Sequence, residues 1–402
     1  VTATEILFWI LAGTVFYTYL GYGALVILLG RVKGLFSGGE RVSRDSYEPP
    51  ATLLVAAFNE ETWLRNKIHN SLGLDYPEEK LKILVVTDGS DDGSGEIVGD
   101  FPRVVHLHAS ERRGKTAALN RAMKLVDTEI VIFSDANAML NREAVRELVR
   151  FFLDPAVGCV CGEKRVFSRE GDEAASAGEG TYWRFESRIK EGEAGLGSCV
   201  GAAGELFAIR TALFSEAPED TLLDDFVISM GIALRGARIQ YAPGAYAMET
   251  ASAGIGEEFK RKTRIAAGNL QALLRMPGLL NPFRHGMLSF QYVSHKFLRS
   301  FIAPLCFAAL IPVNILLLPE GGRAYIYLFL MQGLFYLAAG AGYLLRNRPL
   351  PSRLFFVPFY VVLMNLSALA GFLRYAGGRQ SVLWDKALRK ESSPEGGGAG
   401  KW

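Results

Sequence analysis

Between Pro50 and about Tyr241, short apolar runs alternate with helical stretches, and this alternation limits what the chain can become more than any other feature. "ATLLVAA", "KILVVT", "RVVHLH" and "EIVIFS" read as buried strands, separated by helical segments such as "TWLRNKIHNSL" and "KTAALNRAMKLV". Strand–helix alternation predicts a parallel sheet with helices on both faces. Open sheets of this kind bind ligands beyond the carboxyl ends of their strands. All four strand-like runs lead into polar segments: "FNEE" (Phe58 to Glu61), "TDGSDDGSG" (Thr87 to Gly95), "ERRGKTAALN" (Glu111 to Asn120) and "SDAN" (Ser134 to Asn137). Carboxylates gathered at one edge of a sheet suit a cation or a polar ligand. Asp135 has two readings on spacing alone. It caps the helix expected over "NREAVRELVRFF", or it serves a ligand.

Several familiar motifs fail on inspection. "GKT" at Gly114 to Thr116 lacks the earlier glycine of a P-loop, because position 109 is Ala. "DGSDDGSG" begins like a calcium-binding loop, but its twelfth position is Gly99 and a strand precedes it. Nor is it the G-x-G-x-x-G of a dinucleotide site. Cys159 and Cys161 share one strand face, and C-x-C is not a zinc spacing, so they read as small buried hydrophobes with reduced thiols. A net charge of +2 gives no reason to expect a nucleic-acid partner. Asp224 and Asp225 in "TLLDDFVIS" stand at the start of a helical run. There they act as caps favoured by the helix dipole, or one is a general base.

The chain is 50% hydrophobic and 21% charged over 402 residues, and the apolar excess lies at its two ends. Ile6 to Gly30 carries no charge and is long enough to cross a hydrocarbon core. It is too long for a signal-peptide core and has no cleavage pattern. Arg31 and Lys33 follow, which places the next segment on the cytoplasmic side. Three further spans are expected at Phe301 to Leu318, Ala324 to Leu345 and Leu354 to Leu373. "EEFKRKTRIAAGNLQALLRM" and "FRHGMLSFQYVSHKFLR" mix basic and apolar residues at helical spacing, as interfacial helices do. Three crossings after the globular part would leave the C-terminus outside, yet the basic tail "RYAGGRQSVLWDKALRK" favours the inside. The two statements conflict. The boundaries expected are 1–33 for a transmembrane helix, 34–50 for a linker and 51–250 for the globular domain. Interface helices follow over 251–300, transmembrane helices over 301–375, and a basic tail with a low-complexity end over 376–402.

Taken in order, "VAAFNEE", "VVTDGSDDGS", "RRGKTAALN", "SDAN", "GAAGELFAIR", "DDFVIS", "EFKRKTRIAAGNLQAL", "SHKFLR" and "LWDKALR" resemble the membrane-bound family 2 glycosyltransferases of the GT-A fold. Their relatives include cellulose, chitin and hyaluronan synthases. No single motif is strong, but the ordered series is specific and covers roughly residues 51 to 390. The resemblance implies an α/β nucleotide-sugar-binding domain with a mostly parallel sheet, flanked by transmembrane and interfacial helices. It implies a nucleotide-sugar donor, with Asp88 at the uracil end and Glu60, Lys115, Asp135 and Arg264 around the rest. Asp135 and Asn137 stand where the family's D-x-D holds Mg²⁺ or Mn²⁺. Asp225 falls on the general base, and Asp224, Gly204 and Glu205 on the acceptor side. "LWDKALR" resembles a donor-covering loop, which gives Trp384 and Arg389 to the donor.

Two departures stand out. Asn137 replaces a second Asp, which predicts weaker metal affinity. The family's Q-x-x-R-W falls on Arg261 to Ile265, and losing its Trp removes an aromatic platform for the acceptor sugar. The function expected is inverting transfer from a nucleotide sugar, UDP-linked by preference, to a glycan or lipid-linked acceptor for cell-surface glycan synthesis. The enzyme would be integral to the inner membrane with a cytoplasmic catalytic domain, among membrane lipids and with an export partner or a second copy. Single-sugar transfer to a lipid, similar to ceramide glucosyltransferases, is the runner-up. A non-catalytic scaffold subunit of a polysaccharide-export complex is a reading from another class. The two departures motivate it, and intact Asp88, Lys115, Asp135, Asp225 and Arg264 weigh against it.

Overall fold

Two long apolar segments frame the chain, and the strands lie between them. The computed structural model describes residues 1–36, 47–167, 174–250, 252, 254–319, 322–345 and 353–383. The chain opens with α1 (Ala3–Phe16), a π-helical turn (Tyr17–Gly21) and α2 (Tyr22–Phe36), which run on as one helix of 34 residues. At 1.5 Å per residue, such a helix exceeds a ~30 Å hydrocarbon core. The excess packs on the globular part. A Cβ on Gly30 would lie 2.9 Å from the carbonyl of Gly192, so the two backbones touch there.

The globular part then runs β1 (Ala51–Ala57), α3 (Glu61–Leu72), β2 (Leu81–Asp88), α4 (Ser94–Gly99), β3 (Val104–Ala109), α5 (Lys115–Met123), β4 (Ile130–Asp135), β5 (Met139–Leu140) and α6 (Ala144–Val149). It continues through β6 (Val157–Phe167), α7 (Ala174–Leu196), β7 (Leu206–Arg210), α8 (Asp224–Leu234) and β8 (Arg238–Thr250). The strands form one sheet in the order β3-β2-β1-β4-β7-β6-β8-β5. The half made of β3, β2, β1 and β4 is parallel, as the alternation predicts. Beyond β4 the sheet is mixed: β7 is antiparallel to β4 and β6, β6 and β8 are parallel, and β5 runs against β8.

Successive residues of β1 face opposite cores. Leu53 and Val55 pack with Leu64, Ile68, Ile132 and Leu148, while Leu54 packs with Leu119, Phe133 and Phe207. Burial on both faces explains why these strands are apolar throughout. Cys159 and Cys161 share the second core and are wholly buried.

The C-terminal part contains α9 (Ile255–Arg275), α10 (Pro282–His285), α11 (Met287–Tyr292), α12 (Ala303–Leu317), α13 (Gly322–Leu344) and α14 (Arg353–Ala376). A π-helical stretch, Val293–Ile302, joins α11 to α12, giving a continuous helix Met287–Leu317. Much of the second basic–apolar stretch is therefore the start of a long apolar helix. With the opening helix, α13 and Leu354–Ala376, four helices among the described residues are long and apolar enough to cross a membrane. The amphipathic α9 packs its small residues on α14, where a Cβ on Gly371 would lie 2.5 Å from the carbonyl of Thr263. Its other contacts reach the loop before α8, through Gln271.

Candidate active site

The carboxyl edge of β1, β2 and β4 meets the N-termini of α5 and α8, and α9 closes the side. Asp88 ends β2 and is buried. It accepts hydrogen bonds from the backbone N–H groups of Arg113 (2.9 Å) and Gly114 (2.6 Å), and Arg121 lies 3.2 Å away. Its carboxylate thus shapes the loop that leads into α5. Gly114 takes φ +98°, a region that side chains resist. Arg112 of the same loop stacks 3.7 Å over the ring of Phe58, which follows β1. Glu60, at the head of α3, donates its backbone N–H to Ser94 Oγ at 3.0 Å.

Lys115 is the first residue of α5. Its Nζ is 2.7 Å from Asp135 Oδ1 and 3.4 Å from Asp224 Oδ2. Burial opposes its charge, but Asp135, Asp224 and Asp225 outweigh burial and hold its pKa above the ordinary range. Burial pushes Asp135 up in spite of Lys115. Burial, reinforced by Asp224, raises Asp225 to about 7. Burial pulls Arg264 down against the opposing pull of Asp224, Asp225 and Asp135, so its guanidinium faces the same carboxylates. Arg264 also reaches the carbonyl of Leu222 at 3.5 Å.

Gly204 lies behind the Asp225 carboxylate, where an added Cβ would be 3.4 Å from Oδ2. Glu205 turns its side chain to the buried Lys164, which also pairs with Glu249 at 2.7 Å. The Glu205 backbone carbonyl accepts a hydrogen bond from Ser134 Oγ at 3.0 Å.

Both capping readings are corrected. Asp135 does not cap the following helix, because β5 intervenes and α6 begins after Glu143. Asp224 is the first residue of α8, Leu223 holds the cap position, and no side chain caps this end. Asp224 turns to Lys115 instead.

The structure therefore brings together Lys115, Asp135, Asp224, Asp225 and Arg264. Asp88 and Glu60 lie at the neighbouring strand ends, and Asn137 follows Asp135 in the loop between β4 and β5. Trp384 and Arg389 lie outside the described residues. The residues just before them are informative. A Cβ on Gly114 would meet Val382 Cγ1 at 3.6 Å and Leu383 Cδ2 at 3.8 Å, so the chain after α14 returns to this edge of the sheet.

Sequence reading missed Lys67, Lys164 and Glu249. Lys67 lies on α3 in line with Leu64, Ile68 and Ser71, all buried. Its place on that apolar stripe was the available signal. Its pKa falls to about 7 through burial, against Asp135 and Glu249.

A mixed sheet with parallel strands feeding acidic loops, closed by an acidic helix N-terminus, resembles the GT-A fold. Residues 52–216 match the family model described as glycosyl transferase family 2. That stretch is a glycosyl transferase family 2 domain within the chain. The poly-beta-1,6-N-acetyl-D-glucosamine synthase of Staphylococcus aureus (strain COL) is 28% identical over 235 residues, covering 56% of this chain and 55% of that protein. The synthase of the same name from Staphylococcus epidermidis is 25% identical over 231 residues, with the same coverage. The match thus spans about half the length of these curated relatives. Among solved structures, the mannosyltransferase PcManGT from Pyrobaculum calidifontis, in complex with GDP-Man and Mn²⁺, shares the fold. Its TM-score is 0.68 at 21% identity, over 93% of this chain and 100% of that one.

Proposed function

We propose that this protein moves a sugar from a nucleotide sugar, UDP-linked by preference, to a glycan or lipid-linked acceptor at a membrane, with inversion at the anomeric carbon. The observation that carries the reading is the placement of a basic carboxylate, Asp225, beside the paired Lys115, Asp135 and Asp224. Asp225 accepts the proton of the acceptor hydroxyl as that oxygen attacks the anomeric carbon. Lys115 and Arg264 supply positive charge where the donor's diphosphate would sit. Asp88 holds the loop that shapes the nucleoside end, and Glu60 and the Phe58–Arg112 stack flank it. Gly204, which lies against the Asp225 carboxylate, and its neighbours Glu205 and Asp224 are assigned to the acceptor side of the base.

The donor set fits a divalent cation of modest affinity. Among the described residues, no three carboxylate, imidazole or thiolate groups converge into a protein cage. Asp135 offers one carboxylate, and Asn137 an amide oxygen two residues on. Mg²⁺ or Mn²⁺ bound there would take its remaining oxygens from the diphosphate and water. When bound, it stabilises charge on the leaving nucleoside diphosphate. The Lys115 ammonium lies 2.7 Å from the same Asp135 carboxylate.

The return of Val382 and Leu383 to Gly114 bears on membrane topology. It supports a reading in which Leu383 and the donor edge share one side, with an even number of crossings after α9. A hairpin of the Met287–Leu317 helix and α13, with α14 lying along α9, satisfies that count. Val382 and Leu383 would then be cytoplasmic with the catalytic domain, in an inner membrane, and Trp384 and Arg389 are kept as donor-side residues on the resemblance alone. The relatives' names favour an N-acetylglucosamine donor and a polymeric product; an export partner or a second copy remains an expectation of the sequence alone. The aliphatic Ile265 favours the shorter product, one sugar on a lipid.

The test is a pH–rate profile of the purified protein in nanodiscs with UDP-N-acetylglucosamine, products sized on the same samples. The base works only when ionised, so the rate should plateau above pH 7. Below about 7 it should fall roughly tenfold per unit as Asp225 is protonated. A rate that is flat from pH 5 to 8 would remove Asp225 from the base role. A long product identifies a polymer synthase, and a lipid-extractable single sugar identifies the alternative.

A further inference from the structure

Lys67 has no place in the mechanism above, yet it is wholly buried. Isolated buried ammonium groups are costly, and they persist where they are satisfied by good acceptors. Lys67 Nζ donates to Ser134 Oγ at 2.7 Å and to the backbone carbonyl of Ala138. Those two residues bracket Asp135-Ala136-Asn137. The side chain reaches from α3 beneath the sheet edge and ties the two ends of the tripeptide to one point. Either protonation state of the amine has the two N–H groups this requires. Ser134 Oγ, having accepted from Lys67, donates to the carbonyl of Glu205. Glu205 follows Gly204, which lies against Asp225. One chain of hydrogen bonds therefore runs from α3 through the Asp135 loop to the strand behind the base.

We propose that Lys67 is a positioning residue that fixes the Asp135–Asn137 loop for cation binding and sets its register against the Gly204–Asp225 wall. The proposal rests on the reading that Asp135 and Asn137 hold the metal. It also addresses the Asn at 137. A site with one carboxylate and one neutral amide gains little from charge, so its affinity depends on holding both oxygens at the right spacing. Partners that orient metal ligands in this way change metal affinity or activity by about 10–100-fold when removed.

The experiment compares the full-length wild type with Lys67→Met, Ser134→Ala and Asp135→Ala in nanodiscs. Free Mn²⁺ is read by electron paramagnetic resonance in the presence of UDP, and UDP binding is read separately in EDTA. Lys67→Met is expected to weaken Mn²⁺ binding about tenfold or more, with UDP affinity in EDTA unchanged. Excess Mn²⁺ should restore most of the turnover. Ser134→Ala keeps the amine but removes its partner. It should shift Mn²⁺ binding in the same direction, and it carries the test where Lys67→Met does not fold. Unchanged Mn²⁺ binding in both variants, beside a clear loss in Asp135→Ala, would overturn the role of Lys67 and leave the metal reading standing. Unchanged binding in all three variants would remove the metal from this loop and the positioning role with it. Equal losses of Mn²⁺ and metal-free UDP binding would reduce Lys67 to general structural support.

Discussion

Asp225→Asn should lower kcat by roughly 10²–10⁴-fold, the range that a positioned general base supplies, while donor binding stays near wild type. The amide keeps the shape of the carboxylate and its place beside Gly204, so it should not disturb the wall. It cannot accept a proton. Removing this charge also relieves Asp224, whose carboxylate helps to raise Asp225, so thermal stability should not fall. Any residual rate should lose its dependence on a group titrating near pH 7. Initial rates across pH, with UDP affinity measured in parallel, separate the outcomes. A variant that turns over at the wild-type rate would exclude Asp225 as base and shift attention to Asp224.

Asp135→Ala should cost on the order of 4 kcal/mol of transition-state stabilisation, about a thousandfold in rate, if the cation's charge on the leaving group is lost with its main ligand. It should also abolish the effect of EDTA, since no metal contribution would remain to be removed. Lys115 complicates a simple loss. Its Nζ is shared between Asp135 and Asp224, so in the variant it is expected to turn fully to Asp224. The donor's affinity should therefore fall less than the rate. The converse change, Asn137→Asp, adds a second carboxylate and should tighten Mn²⁺ without raising kcat. Metal titrations of the initial rate read both effects, and EDTA sensitivity surviving in Asp135→Ala would place the cation elsewhere.

The first half of the fold was legible because its physics is local. β1, β2 and β4 are apolar on both faces, and the segments between them have helical spacing. The mixed half was not, because "LFAIR" carries no mark of strand direction. In β8, Pro243 and Gly244 interrupt the pattern where its register against β6 shifts, between Gly162 and Glu163. The site was legible as a set of strand ends, but the direction of each side chain was not. Asp224 and Asp225 look alike in sequence. In space one faces Lys115 and the other faces Gly204. Lys67 escaped notice because lysines on helices are mostly solvated, and only its alignment with Leu64 and Ile68 marked it as inward. Counting apolar segments sets three crossings against a basic tail. The packing of α14 on α9 and the return of Leu383 to Gly114 are tertiary facts that no hydropathy count contains.

The most direct test of the account is turnover of a panel of radiolabelled nucleotide sugars by membranes containing the protein, each with and without EDTA. Transfer from one UDP-sugar into a membrane-associated or polymeric product is expected, suppressed by EDTA and absent in Asp225→Asn. Retained UDP binding with no transfer from any donor would contradict it and favour a non-catalytic subunit.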